Sequence, residues 1–125
     1  MSNKLSEQDF YDAIKDVILP DDEVIVIYAG IWSFAHNFGG EIGKIPDMML
    51  DVIEDVVGKE RTLLFPSFCA SHFVKHGEFD LTQTLPSESG ILSKYALKRK
   101  GYVRTYQPMH SFLVRGPRSQ EILDL

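Results

Sequence analysis

The chain has 125 residues, 44% of them hydrophobic and 25% charged, with one cysteine; this excludes a disordered, collagenous or disulfide-stapled polypeptide and leaves one soluble globular domain, residues 1–125. Eighteen acids against thirteen bases give a formal net charge of −5, which argues against a nucleic-acid partner. No apolar run approaches the ~20 residues that span a bilayer, and the polar opening MSNKLSEQDF lacks secretory character, so the expectation is a cytoplasmic protein without a membrane partner.

Ser6 followed by Asp9 resembles a capping box, and Phe10, Ile14, Val17 and Ile18 recur at helical spacing up to Pro20, so residues 6–19 read as an amphipathic helix. Asp21 and Asp22 make a turn. Val24 to Tyr28 is a continuous apolar, β-branched run, the pattern of a central parallel strand buried on both faces. Pro46 opens a second helix, with Met49, Val52, Ile53 and Val56 as its apolar stripe and Gly58 as its stop. Thr62 to Phe65 reads as a second buried strand ended by Pro66, and Ile91 to Leu97 as a third helix, with Lys98, Arg99 and Lys100 at its negative end. Ser111 to Val114 is another strand, and Pro117 begins a last helix. Gln120 to Leu125 keeps helical spacing without a stop signal, so the chain reads as truncated. The alternation of strand and helix predicts an α/β fold, a three-layer α/β/α sandwich with a mainly parallel sheet.

Charge is unevenly spread. Residues 1–60 hold thirteen acids and four bases, while residues 94–125 hold two acids and seven bases, and no acid lies between Lys94 and Arg118. A basic segment on an acidic chain fits either a specific anionic ligand, such as a phosphorylated cofactor, or an ordinary solvated face.

Between the first strand and the Pro46 helix lies a loop with Gly39, Gly40 and Gly43. It stands where α/β sheets bind ligands, beyond the carboxyl end of a strand. Its glycines match neither a Walker loop nor the dinucleotide fingerprint, and turn formation also explains them. Four histidines are present, His36, His72, His76 and His110. His72 and His76 are four apart, but their surroundings read as loop and no third ligand is evident, so no metal is expected. His110 stands immediately before a strand in the polar segment Arg104-Thr-Tyr-Gln-Pro-Met-His-Ser111. A neutral imidazole there either orients or deprotonates a substrate group, or is hydrogen-bonded for structure alone. Cys69 follows the second strand without an assignable histidine and reads as a buried small hydrophobe. No serine sits in Gly-x-Ser-x-Gly, so hydrolase chemistry has no support.

The order of these segments resembles the aminoglycoside 3-N-acetyltransferases, the antibiotic N-acetyltransferases that use acetyl-CoA. The resemblance runs from Asp21 to Leu125. It is carried by Val24-Ile-Val-Ile-Tyr-Ala-Gly-Ile-Trp-Ser33 with Gly39-Gly40, Thr62-Leu-Leu-Phe-Pro-Ser-Phe68, Phe79-Asp80, Leu85-Pro-Ser-Glu-Ser-Gly90, Arg104 to Ser111, and Gly116-Pro117. The sequence departs from the family pattern at Tyr28, Ala29 and Gly30, where a histidine and two serines are usual, and at Gln107, where a histidine is usual. Family members are about twice as long, so the chain resembles their N-terminal, cofactor-side half. The resemblance implies acetyl transfer from acetyl-CoA to an amino group of an aminoglycoside or related amino sugar, in resistance or in biosynthesis. It further implies CoA and a small-molecule amine as partners, and because a parallel sheet needs helices on both faces, a truncated chain is expected to form a homodimer or to pair with a C-terminal half. Arg104, Lys98, Arg99 or Lys100 would meet the CoA phosphates, Gly30, Ile31 and Trp32 would lie along the pantetheine arm, Thr105 and Ser111 would supply hydroxyls, and His110 is the catalytic or site-organising candidate. The alternatives are a non-catalytic binding or assembly module related to that family, and a flavodoxin-like phosphate-ligand protein.

Overall fold

The computed structural model describes residues 4–30, 35–86 and 88–125. Helix α1 (Glu7–Val17) starts where the sequence predicts: the Ser6 hydroxyl accepts from the Asp9 N–H, and the Asp9 carboxylate accepts in return from the Ser6 N–H. Strand β1 (Val24–Val26) follows. Two short 3-10 turns, Ala35–Asn37 and Ile42–Lys44, lead into α2 (Ile45–Val57). Pro46 stands at the opening of α2 and Gly58 ends it with φ 76°, a left-handed stop that glycine takes without Cβ strain. Strand β2 (Thr62–Pro66) is buried throughout. Then come α3 (Ala70–His76), α4 (Ile91–Leu97), β3 (Val103–Arg104), β4 (Phe112–Arg115) and α5 (Ser119–Leu123).

The sheet has four strands in the order β1-β2-β4-β3. It is mixed rather than mainly parallel: β1 pairs parallel with β2, and β4 pairs antiparallel with both β2 and β3. The cause is local. The alternating crossovers deliver β1, β2 and β3 in one direction, but β4 follows β3 after the short connection 105–111, too short for a parallel return, which needs a dozen or more residues. The register places Ile25 beside Leu63, and Phe65 and Arg104 both beside Leu113.

One face of the sheet carries the core. Leu63, Phe65 and Leu113 pack with Met49, Leu50, Ile53 and Val57 of α2 and with Leu92 and Ala96 of α4. Phe10 and Ile14 of α1 add to the same cluster. Val24 and Val26, which alternate onto the other face, are exposed. Among the described residues β1 has a single strand neighbour, so the run read as a central strand is an edge strand. Its β-branched residues are apolar on both faces, while helices α1 and α2 cover one of them. The segment around His72 and His76 is helix α3, not loop. Gly77, with φ 68°, accepts the left-handed cap that ends it.

Candidate functional site

Strands β1, β2 and β3 all end on one side of the molecule, and β4 begins there. A cleft of about 480 Å3 opens at this end, lined by Tyr28, Ala29 and Gly30 after β1, Pro66 and Phe68 after β2, and Glu88, Ser89 and Gly90 before α4. Parallel strands place their following loops on either side of such a crevice. Phe68 is wrapped by the segment before α4: its N–H donates to Ser89 Oγ at 2.6 Å, and its carbonyl accepts from the Glu88 N–H at 3.2 Å. Glu88 Oε1 in turn accepts from the Ser71 N–H at 2.6 Å in the first turn of α3. That contact holds the Glu88 carboxyl below its ordinary value, and His110 lowers it further. Gly90 starts α4 with φ 87° and ψ 174°, and a Cβ there would stand 2.7 Å from the Ala29 carbonyl oxygen. The two walls of the cleft therefore meet backbone against backbone.

His110 is exposed. Its ring stands edge-on to Phe68, with centroids 5.1 Å apart, while Phe68 makes a second edge contact to Phe112 at 5.4 Å. The His110 backbone N–H donates to Gln107 Oε1 at 2.6 Å, and Met109 N–H donates to the same oxygen at 2.7 Å. Gln107, the residue where the resemblance expected a histidine, thus folds the turn that carries His110.

Beneath this turn is a buried polar cluster. Ser67 and Ser111 face each other across β2 and β4: Ser67 N–H donates to the Ser111 carbonyl at 2.8 Å, and their hydroxyl oxygens lie 2.8 Å apart. Ser111 Oγ accepts from Arg104 Nε at 3.0 Å and lies 2.9 Å from the Ser67 carbonyl, to which it donates. Arg104 Nη2 donates to the Ser67 carbonyl at 2.8 Å and to Cys69 Sγ at 3.7 Å, and Nη1 donates to the Thr84 carbonyl. The Cys69 thiol donates to the Pro108 carbonyl at 3.0 Å. Burial pushes this thiol up despite the nearby guanidinium, which makes it a poor nucleophile.

The residues expected from the sequence therefore divide. Gly30 lines the cleft and His110 stands against its Phe68 wall. Thr105 is half-buried, its hydroxyl oxygen accepting from the Phe112 N–H at 2.9 Å. Arg104 and Ser111 are interior, 6% and 0% exposed. Ile31 and Trp32 lie outside the described residues. Lys98, Arg99 and Lys100 stand at the far end of α4 from Gly90, and Arg99 is held by α2 through Asp47 at 3.2 Å, Asp51 at 2.8 Å and Glu54 at 3.0 Å. Sequence reasoning did not single out Tyr28, Phe68, Glu88 or Ser89 as site residues. The available signal was positional, since they follow the two parallel strands and precede a helix.

A mixed-sheet α/β domain with a crevice beyond its parallel strands is a class shared by many enzymes. The family model for aminoglycoside 3-N-acetyltransferase matches residues 35–125, and the chain belongs to that family. Among solved structures, the apoenzyme of aminoglycoside acetyltransferase AAC(3)-IVa superposes with a TM-score of 0.74 at 16% identity, over 99% of this chain and 46% of that one. The YokD protein from Bacillus subtilis gives 0.73 at 15% identity, over 94% and 53%. AAC-IIIb, solved as a binary complex with CoASH, gives 0.69 at 17% identity, over 93% and 47%. At these identities the likeness is one of fold, and the chain spans about half the length of these solved relatives. A comparison with curated protein sequences gives no match. No helix among the described residues is long and apolar enough to cross a membrane.

Proposed function

We propose that the chain is the cofactor-side half of a cytoplasmic acetyl-CoA-dependent N-acetyltransferase acting on an amino group of an aminoglycoside or related amino sugar. The observation that carries the reading is the cleft between Gly30, Phe68 and Gly90, at the carboxyl ends of the parallel strands, in a chain of this family. AAC-IIIb, of the same fold, is known with CoASH bound. The pantetheine arm enters along Gly30 and the residues after it, Ile31 and Trp32, and the amine approaches on the His110 side.

In the reaction the neutral amine nitrogen attacks the thioester carbonyl. A C–N bond forms, the C–S bond breaks, the sulfur leaves as CoA thiol or thiolate, and the nitrogen gives up one proton to a base. Because attack builds negative charge on the carbonyl oxygen, the site must also supply a hydrogen-bond donor to that oxygen. His110 is the ring at this end of the sheet that could take or relay the proton. The main base and the second wall come from the part of the relatives' length that this chain does not span. That part completes the second helical layer of a three-layer sandwich by covering Val24 and Val26.

Titration calorimetry with CoA tests the cofactor assignment: saturable heat is expected, and its absence refutes it. The half-length span favours a second reading, a binding or assembly module that holds CoA without turnover. Release of CoA thiol when acetyl-CoA and an amino-sugar amine are added to the isolated chain excludes that module, whereas binding without release supports it.

A further inference from the structure

We propose that Arg104 is a positioning residue, an internal strap that fixes the 105–111 connection, with Thr105 and His110, against the end of β2, and that it acts on the cofactor only through that connection. The inference rests on the functional reading above. It assigns the arginine to the interior, where the basic character of the segment had suggested a phosphate contact.

The geometry is that of a hub. The side chain projects from the end of β3 onto the core face and is 6% exposed. Its hydrogen bonds reach three separate segments: Ser111 Oγ at the start of β4, the Ser67 carbonyl and Cys69 Sγ after β2, and the Thr84 carbonyl in the loop before α4. A planar guanidinium with donors in a fixed fork satisfies several acceptors lying in different directions, which a lysine ammonium on a flexible stem does not reproduce. The guanidinium carbon also lies 4.7 Å from the centre of the Phe79 ring, a cation–π contact that fixes the same loop.

Every hydrogen-bond acceptor is neutral: one hydroxyl, two carbonyls and a thiol. A phosphate contact would require these donors to leave a buried network, taking from the Thr84 carbonyl its guanidinium donor and from the Ser67 carbonyl one of its two donors, and an unmade buried hydrogen bond is expensive. Ser111 is committed in the same way, its hydroxyl lying between Arg104, Ser67 Oγ and the Ser67 carbonyl. Thr105 and His110 flank this network on the connection: His110 is exposed, and Thr105 is half-buried with its hydroxyl oxygen accepting from the Phe112 N–H. The strap thus converts a buried charge into the position of these two side chains.

Hydrogen exchange and paired titrations with CoA and pantetheine on wild type and Arg104→Gln test this. The expected result is faster exchange confined to residues 80–85 and 105–112, with α1 and α2 unchanged. Affinity for CoA and for pantetheine should fall by the same factor, about tenfold, since neither ligand touches the arginine. A loss confined to CoA means a phosphate contact and overturns the proposal, as does unchanged exchange in both segments. Unchanged affinities alongside faster exchange also overturn it, because the arginine is then structural only. If Arg104→Gln does not fold, Arg104→Lys, which keeps the charge and loses the fork, is read by the same criteria. A wild-type chain that binds neither ligand refutes the functional reading and, with it, any action on a cofactor, while exchange alone then decides whether the strap itself exists.

Discussion

Gly90→Ala tests whether the two walls of the cleft meet as closely as the backbone indicates. Gly90 has φ 87° and ψ 174°, a region reserved for glycine and costing any other residue about 1–3 kcal/mol. The added methyl would stand 2.7 Å from the Ala29 carbonyl oxygen. That neighbour is backbone and cannot rotate aside, so either β1's following loop or the start of α4 must move, at an overpacking cost of about 1–3 kcal/mol. The sum, about 2–6 kcal/mol, is a large share of the about 5–15 kcal/mol that holds a domain together. With a urea slope of about 1–3 kcal/mol per molar, the unfolding midpoint should fall by about 1 M or more. Two controls divide the terms. Gly40 has φ 85° with open space around its Cβ position, so Gly40→Ala carries only the conformational cost. Gly43 has open space and no positive φ, so Gly43→Ala should be near neutral. A Gly90→Ala midpoint no lower than that of Gly40→Ala would refute the close approach of the walls.

Arg99→Ala should cost about 1–3 kcal/mol in urea melts, because Glu54, 19% exposed, would keep only the Tyr102 hydroxyl at 2.7 Å. Asp51→Ala should cost less than about 1 kcal/mol, since that carboxylate is 70% exposed; equal losses would refute the ranking. Glu88 has a carboxyl held below its ordinary value of 4.5 by the Ser71 contact. Its stabilising contribution is therefore complete above about pH 4.5 and is lost as pH falls through the lowered folded value. Urea midpoints between pH 3 and 6 should fall less steeply for Glu88→Gln than for wild type, and parallel curves would show that the capping contact contributes nothing.

Much of the fold was legible because its signals are local. The Ser6–Asp9 box, the Pro46 start and Gly58 stop of α2, and the apolar run of β2 are each specified by a few adjacent residues, and the structure follows them. What escaped depended on partners distant in sequence. Val103–Arg104 is a strand of two residues whose pairing is set by Leu113 and Val114, and nothing within it announces a strand. Helix α3 carries Ser71, His72, Val74 and Lys75 with no apolar stripe, because it caps onto Glu88 rather than into the core. The location of the cleft was readable from the rule that ligands bind beyond parallel strands. Arg104's interior position was not, because a charge in a run of bases reads as surface until the acceptors around it, Ser67, Thr84 and Ser111, are brought together by the fold.

The reversal of β4 is also what places the site. In an all-parallel sheet β4 would begin at the end of the molecule opposite the cleft, and the residues just before it, His110 and Ser111, would lie a strand's length away, roughly 13 Å for four residues. Because β4 runs antiparallel to β2, Ser111 instead pairs with Ser67 in the buried cluster between Pro66 and Phe68 of the cleft wall, and His110 comes to rest against Phe68. The short 105–111 connection that forces the reversal is the one Arg104 ties down. The sheet's single antiparallel strand, its buried arginine and its exposed histidine are therefore parts of one arrangement. A change that lengthened the connection enough to free β4 would be expected to remove His110 from the cleft before it disturbed the core of α2 and β2.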